Sequence, residues 1–231
     1  MNSRDSIHIL TIIELTMLYF FCITYIISLW VLIQTPDDTH SSKRFWIKVL
    51  TCIHPLLILF VAYFYHSVET IEPGLLWALI FAFLGDLSLG LKHRFKPAMA
   101  NGIFFFSLTH ITLSALFYES PWFIWTLLIA LCAWFILFKI LSKHLKFGSY
   151  STMVSFYAFM ILMMFGLASS SLINNPNLHH FVLWLAALSF LISDTLLSRK
   201  YFIKTKSIWI NISYLVLYHL ALSLFTLSVF I

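Results

Sequence analysis

The chain has 231 residues, of which 61% are hydrophobic and only 10% charged, and its formal net charge is +5. Soluble domains carry about 25% charged residues, so this composition excludes an ordinary soluble domain and describes an integral membrane protein. The positive balance does not argue for nucleic-acid binding, because the basic residues sit where a membrane protein carries them.

A helix that crosses a bilayer needs about 20 largely apolar residues. Eight stretches meet that length, at 12–33, 46–65, 73–91, 98–117, 121–141, 150–173, 180–197 and 207–229. The first is too long for a signal-peptide core and no small-residue cleavage site follows it, so it counts as a span. The short connections hold turn residues: Pro36 with Asp37 and Asp38, Glu72 with Pro73 and Gly74, Lys96 with Pro97, Ser120 with Pro121, Phe147 with Gly148 and Ser149, and Asn174, Asn175, Pro176 and Asn177. No linker or low-complexity stretch divides the chain. Residues 1–231 are therefore expected to form a single transmembrane helical domain, an all-α polytopic bundle of about eight spans. Cys22, Cys52 and Cys132 all fall within apolar runs and form no disulfide or metal spacing, so they read as small apolar residues.

Charge sets the expected orientation. Of the 14 Lys and Arg, all but Arg4 lie in or beside the odd-numbered loops, among them Lys43, Arg44, Lys48, Lys92, Arg94, Lys96, Lys139, Lys143, Lys146, Arg199, Lys200, Lys204 and Lys206. The positive-inside rule then puts the odd loops in the cytoplasm and both termini outside. The compact loops suggest a bacterial inner membrane.

Two aspartates lie inside the apolar runs. Asp86 follows Gly85 near the end of the third span, and Asp194 follows Ser193 near the end of the seventh. An aspartate in a membrane helix costs about 2.5–3.5 kcal/mol on insertion scales, so two in matching frames suggest one shared site. At about 1.5 Å per residue, Asp86 lies some 7 Å and Asp194 some 5 Å inside the same membrane face. The third and seventh spans run in the same direction. With Asn101 and His110 in the fourth span set against Asn211 and His219 in the eighth, the chain suggests a parallel four-plus-four repeat. A carboxylate pair in a partly dry pocket can leave one member protonated. That supplies a general acid beside an anionic stabiliser, which suits cleavage at an acetal-like carbon. The plain alternative is an aspartate that reaches the interface or pairs with a nearby lysine or arginine.

Other polar residues are candidates for binding a substrate: Asn101, His110, Tyr157, Asn211, Tyr214 and His219. Tyr157 and Tyr214 sit about 10 Å in, and the two histidines about 18 Å in, some 10 Å beyond the aspartates. The histidines are thus expected at the far end of a cavity. The tyrosines also suit an interfacial aromatic belt, and the asparagines helix–helix hydrogen bonds. His179 and His180 fall in an outer loop and read as solvated. There is no ligand-spaced metal motif, no nucleophile elbow and no glycine-rich phosphate loop. No metal and no cofactor is expected.

The motifs together resemble the YhhN-type lysoplasmalogenase family. The resemblance rests on Leu84, Gly85, Asp86, Leu87, Ser88 and Leu89; on Gly102, Phe106 and His110, which share one helix face; on Phe190, Ser193 and Asp194; and on Tyr157 with Met163 or Met164. Members tend to carry Lys-Pro early in the second helix, where this chain has His54 and Pro55, and a glutamine after the tyrosines of the eighth, where it has Tyr218 or His219.

The resemblance implies hydrolysis of the vinyl ether bond of lysoplasmalogens to a fatty aldehyde and a glycerophospho-headgroup, without a cofactor, with Asp86 and Asp194 in the acid and carboxylate roles. The implied partners are a lysophospholipid substrate and membrane lipids, and no nucleic acid. A small proton- or cation-coupled transporter or a lipid-binding membrane protein is the competing reading, since intramembrane aspartate and histidine suit it too. A purely structural subunit fits the paired aspartates least.

Overall fold

The structure is a computed structural model and describes residues 3–35, 42–65, 72–92, 94–117, 122–144, 147–203 and 207–231. Its eight helices are α1 Ser3–Gln34, α2 Ser42–Tyr65, α3 Pro73–Gly90, α4 Ala98–Ala115, α5 Phe123–His144, α6 Ser151–Asn174, α7 Leu178–Ser198 and α8 Ile208–Leu227. All eight are long and apolar enough to cross a membrane. The expected turns at 36–38 and 120–121 lie outside the described residues, as do 146, 204 and 206 of the basic clusters.

These sequences become helices because a bilayer offers the backbone no hydrogen-bond partners, so each segment must satisfy its own amides and carbonyls. Local signals set the ends. Pro73 occupies the first turn of α3, where a missing N–H costs nothing. The side chain of Asn177 caps α7 by accepting from the amide of His180 at 2.9 Å. Gly148 adopts a φ of +57° between α5 and α6, a conformation that favours glycine.

His179 and His180 belong to the first turn of α7 rather than to a loop, and both are half-buried. Nδ1 of His179 lies 3.1 Å from the carbonyl of Ser228. Of the cysteines, only Cys52 is buried; Cys22 is partly exposed and Cys132 is exposed on α5. α7 does not stop at Ser198, because a π-helical turn, Arg199–Ile203, carries the helical run onward.

The most intimate pairs are α3 with α4 and α7 with α8, followed by α1 with α2 and α5 with α6. α2 also packs on α3 and α6 on α7, while α4 leans on α6 and α8 on α2. The order of neighbours in the first four helices thus recurs in the last four, as the four-plus-four reading expects. The core lies between α3, α4, α6, α7 and α8, around Met164, Leu167, Ala186, Phe190, Ala221 and Phe225, none more than 1% exposed. α1 and α5 expose large apolar side chains, among them Phe20, Ile26, Trp30, Ile124, Ile129 and Phe135. Such faces belong against lipid tails, not water.

Candidate active site

Two close helix approaches build the site. A Cβ at Gly102 of α4 would stand 2.6 Å from Cδ2 of Leu89 and 3.5 Å from the carbonyl oxygen of Gly85 on α3. A Cβ at Gly85 would stand 2.9 Å from the Phe106 ring. A Cβ at either position would have to push a side chain of the facing helix aside, Leu89 for Gly102 and Phe106 for Gly85. The shared face of Gly102, Phe106 and His110 thus has three jobs: close contact with α3, a ring against Gly85, and a histidine directed to Asp194. Across α7 and α8, the Ser193 hydroxyl donates to the carbonyl of Tyr214 at 2.9 Å.

Asp86 is 6% exposed and Asp194 9% exposed. Their partners differ in kind. Asp86 receives the Lys48 ammonium on Oδ1 at 2.8 Å and the Tyr218 hydroxyl on Oδ2. Nζ of Lys48 also lies 3.4 Å from the Asp86 main-chain carbonyl. Asp194 receives the Tyr157 hydroxyl on Oδ2, and Nε2 of His110 lies 3.4 Å from the same oxygen. Nδ1 of His110 is 3.4 Å from the Met164 sulfur. Phe190, fully buried, wedges between the two networks, with its ring edge-on to His110 at 4.7 Å and to Tyr218 at 5.4 Å.

Both aspartates line one cavity of about 30 Å³ with Lys48, Ser193, Tyr201, Tyr214, Tyr218 and His219. A water needs about 10–15 Å³ of such space, so the cavity takes one or two. A larger groove of about 590 Å³ between α5 and α6 is lined by apolar residues with Thr126, Ser169 and Ser170 and by no titratable group. Of these two spaces, only the small cavity brings titratable groups together.

The sequence-based candidates fall into three groups. Asp86, Asp194, Tyr214 and His219 line the cavity. His110 and Tyr157 stand behind Asp194 and hold it. Asn101 is exposed and Asn211 half-buried, and neither lines the cavity. Oδ1 of Asn211 has no hydrogen-bond partner among the described residues.

The expected 10 Å gap between histidines and aspartates does not exist. The π-helical turn extends the α7 run to Ile203, so Asp194 lies more than two turns from its end, near the depth of His110. The helix-by-helix match also needs a shift. The partner of Asp86 on α8 is Tyr218, and the same interval along the chain separates Asp86 from Asp194 and His110 from Tyr218. The equivalent of His110 is thus Tyr218, one residue before His219.

Lys48 and Tyr218 were not among the sequence candidates. Lys48 reads as an orientation charge at the start of a span, and no local pattern marks it as a carboxylate partner. Tyr218 was within reach of the repeat, had the interval between the aspartates been applied to His110. His54, the sequence match to the second-helix position, points elsewhere: its Nε2 lies 3.0 Å from the Thr24 hydroxyl on α1.

A model of the YhhN family matches residues 44–229, most of the chain. The chain belongs to the YhhN family. No curated protein and no solved structure matches it. The family range holds every residue that lines the cavity and runs from the first turn of α2 to the last turn of the chain. α1 lies wholly outside that range.

Proposed function

We propose that this YhhN family protein hydrolyses the vinyl ether bond of lysoplasmalogens, releasing a fatty aldehyde and a glycerophospho-headgroup. Family membership is consistent with that activity. The observation that carries the reading is the unlike company of two aspartates in one cavity. Asp86 has an ammonium on one oxygen and a phenol on the other. A carboxylate engaged on both oxygens and paired with a cation is suited to the part of a fixed counter-charge. The hydrogen-bond partners of Asp194, Tyr157 and His110, both meet Oδ2. Its Oδ1 is the oxygen suited to carry a proton.

The chemistry needs that division of labour. Cleavage begins when Asp194 protonates the alkenyl carbon remote from the ether oxygen. The π electrons form the new C–H bond, and positive charge develops on the ether carbon and oxygen. Asp86, fixed by Lys48 and Tyr218, faces that charge as a preorganised anion. Positioned acid catalysis is typically worth about 10²–10⁴-fold. Water then adds to the cationic carbon, and the hemiacetal collapses to aldehyde and alcohol.

Substrate selectivity tests this. Detergent-purified protein is incubated with a lysoplasmalogen and with its saturated alkyl ether counterpart. The vinyl ether should yield aldehyde and glycerophospho-headgroup in equal amounts, and the saturated ether, which cannot form the cation by protonation at carbon, should remain intact. Folded protein that cleaves both, or neither, would contradict the reading.

A further inference from the structure

His219 is 1% exposed and lines the carboxylate cavity, yet its Nε2 has no hydrogen-bond partner among the described residues. An unpaired buried ring nitrogen costs about 1–3 kcal/mol, so its presence beside two catalytic carboxylates calls for a role. The other nitrogen is held firmly. Nδ1 lies 2.9 Å from the Tyr25 hydroxyl on α1. The same hydroxyl donates to the His219 carbonyl at 3.2 Å, a carbonyl that also accepts from Ser223 at 2.7 Å. A phenol has one proton. Given to the carbonyl, it leaves the phenol oxygen to accept from the imidazole, which places the ring proton on Nδ1 and a bare lone pair on Nε2. Tyr25 is itself buried and stacked on His54, with ring centroids 5.5 Å apart.

We infer that His219 is the proton acceptor for the attacking water in this cavity, and that Tyr25 is the positioning residue that leaves Nε2 unprotonated to accept. The inference rests on the hydrolytic reading above and adds the step that reading leaves open. After Asp194 has protonated the alkenyl carbon, a water oxygen bonds to the cationic ether carbon while Nε2 takes one of its protons. The resulting hemiacetal then collapses. Its hydroxyl proton passes to the Asp194 carboxylate, the carbon–oxygen bond to glycerol breaks with its electron pair going to the glycerol oxygen, and that oxygen takes the proton held on Nε2. One water is consumed, and both side chains return to their starting states. Tyr25 lies outside the range matched to the family, and His219 lies inside it.

Deuterium tracing separates the acid step from the water step. The wild type in deuterated water should release aldehyde labelled beside the carbonyl, and the recovered lysoplasmalogen should stay unlabelled, because every cation is captured. His219→Gln leaves the main-chain carbonyl as a partner for Tyr25 but cannot take the water proton. Aldehyde release should fall about a hundredfold, and the recovered substrate should gain deuterium at the alkenyl carbon, since trapped cations lose a proton back to Asp194. Tyr25→Phe should show the same signature with a roughly fivefold loss. In ¹⁵N-histidine spectra of the wild type, His219 should carry its proton on Nδ1 and none on Nε2. A proton on Nε2 would overturn the inference. So would unchanged release by His219→Gln, or release that falls with no deuterium in the recovered substrate. A wild type that releases no aldehyde defeats the hydrolytic reading and this inference together, whereas an active wild type with an indifferent His219→Gln defeats this inference alone.

Discussion

His110 on α4 and Tyr218 on α8 occupy equivalent places in the two four-helix halves, and each serves the aspartate of the other half. His110 reaches Asp194 on α7, while Tyr218 donates to Asp86 on α3. The other partner of each aspartate comes from its own half: Lys48 on α2 for Asp86, Tyr157 on α6 for Asp194. The crossed pair ties the halves together at the cavity, so neither half forms its site without the other. The chemistry also diverges at matched places. Asp86 meets an ammonium and a phenol, whereas Asp194 meets a phenol and an imidazole, and only the Asp86 set includes a lysine.

Removing the ammonium should therefore damage Asp86 far more than removing both charges. Lys48→Met leaves a buried carboxylate without its counter-ion, which should cost about 3 kcal/mol and lower the thermal midpoint in detergent by several degrees. Lys48→Met with Asp86→Asn should restore most of that loss of stability, because no uncompensated charge remains. The double variant should still release no aldehyde. Thermal unfolding of the two variants beside the wild type checks the first statement, and an aldehyde assay the second.

The two tyrosines that hold the aspartates should be separable by effect. Tyr218→Phe removes a charge-assisted hydrogen bond from Asp86, worth about 1.5–3 kcal/mol, and should cut kcat roughly tenfold or more with KM little changed. Tyr157→Phe removes the phenol from Asp194, where His110 remains on the same oxygen. Its loss should be smaller. Steady-state kinetics of both variants decide the ranking.

The close approach of α3 and α4 should be intolerant of bulk. Gly102→Val adds a branched side chain where a Cβ alone would stand 2.6 Å from Cδ2 of Leu89, and overpacking of this kind costs about 1–3 kcal/mol. Adding Leu89→Ala should recover part of the stability, since the first obstacle is a side chain rather than backbone. Thermal midpoints of the single and double variants measure the relief.

At the basic end, two ammoniums flank the cavity. Nζ of Lys92 stands 4.1 Å over the ring of Tyr201, and Nζ of Lys200 lies 3.1 Å from the hydroxyl of Tyr214. Both tyrosines line the cavity. A phosphate that accompanies the alkenyl chain would meet these cations, each worth about 1 kcal/mol. Lys92→Gln and Lys200→Gln should each raise KM for a lysoplasmalogen by roughly fivefold and leave the turnover of a phosphate-free alkenylglycerol unchanged. Equal effects on both substrates would mean that the lysines serve only the fold.

The eight spans were legible because each is apolar all round and long enough to cross a bilayer, and their observed ends fall within a few residues of those expected. α1 is the exception, starting at Ser3, because its first turns are polar and a hydropathy pattern sees only the part that lies in lipid. The aspartates were legible because charge inside an apolar run is conspicuous. Their partners were less so. A lysine at a span's start has a sufficient explanation in topology, which hid Lys48. Matching α4 to α8 by residue type paired His110 with His219, whereas the fold preserves the position of the donor and changes its chemistry from imidazole to phenol. The π-helical turn after Ser198 left no mark in the hydrophobic pattern, and it shifts the depth of Asp194 enough to bring His110 into contact.

Aldehyde release by the wild type, Asp86→Asn and Asp194→Asn, measured side by side on one lysoplasmalogen, tests the central claim most directly. The account predicts equimolar aldehyde and glycerophospho-headgroup from the wild type and a loss of about a hundredfold or more in each variant, with all three proteins folded by thermal unfolding. Undiminished release in either variant, or none from folded wild type, would contradict it.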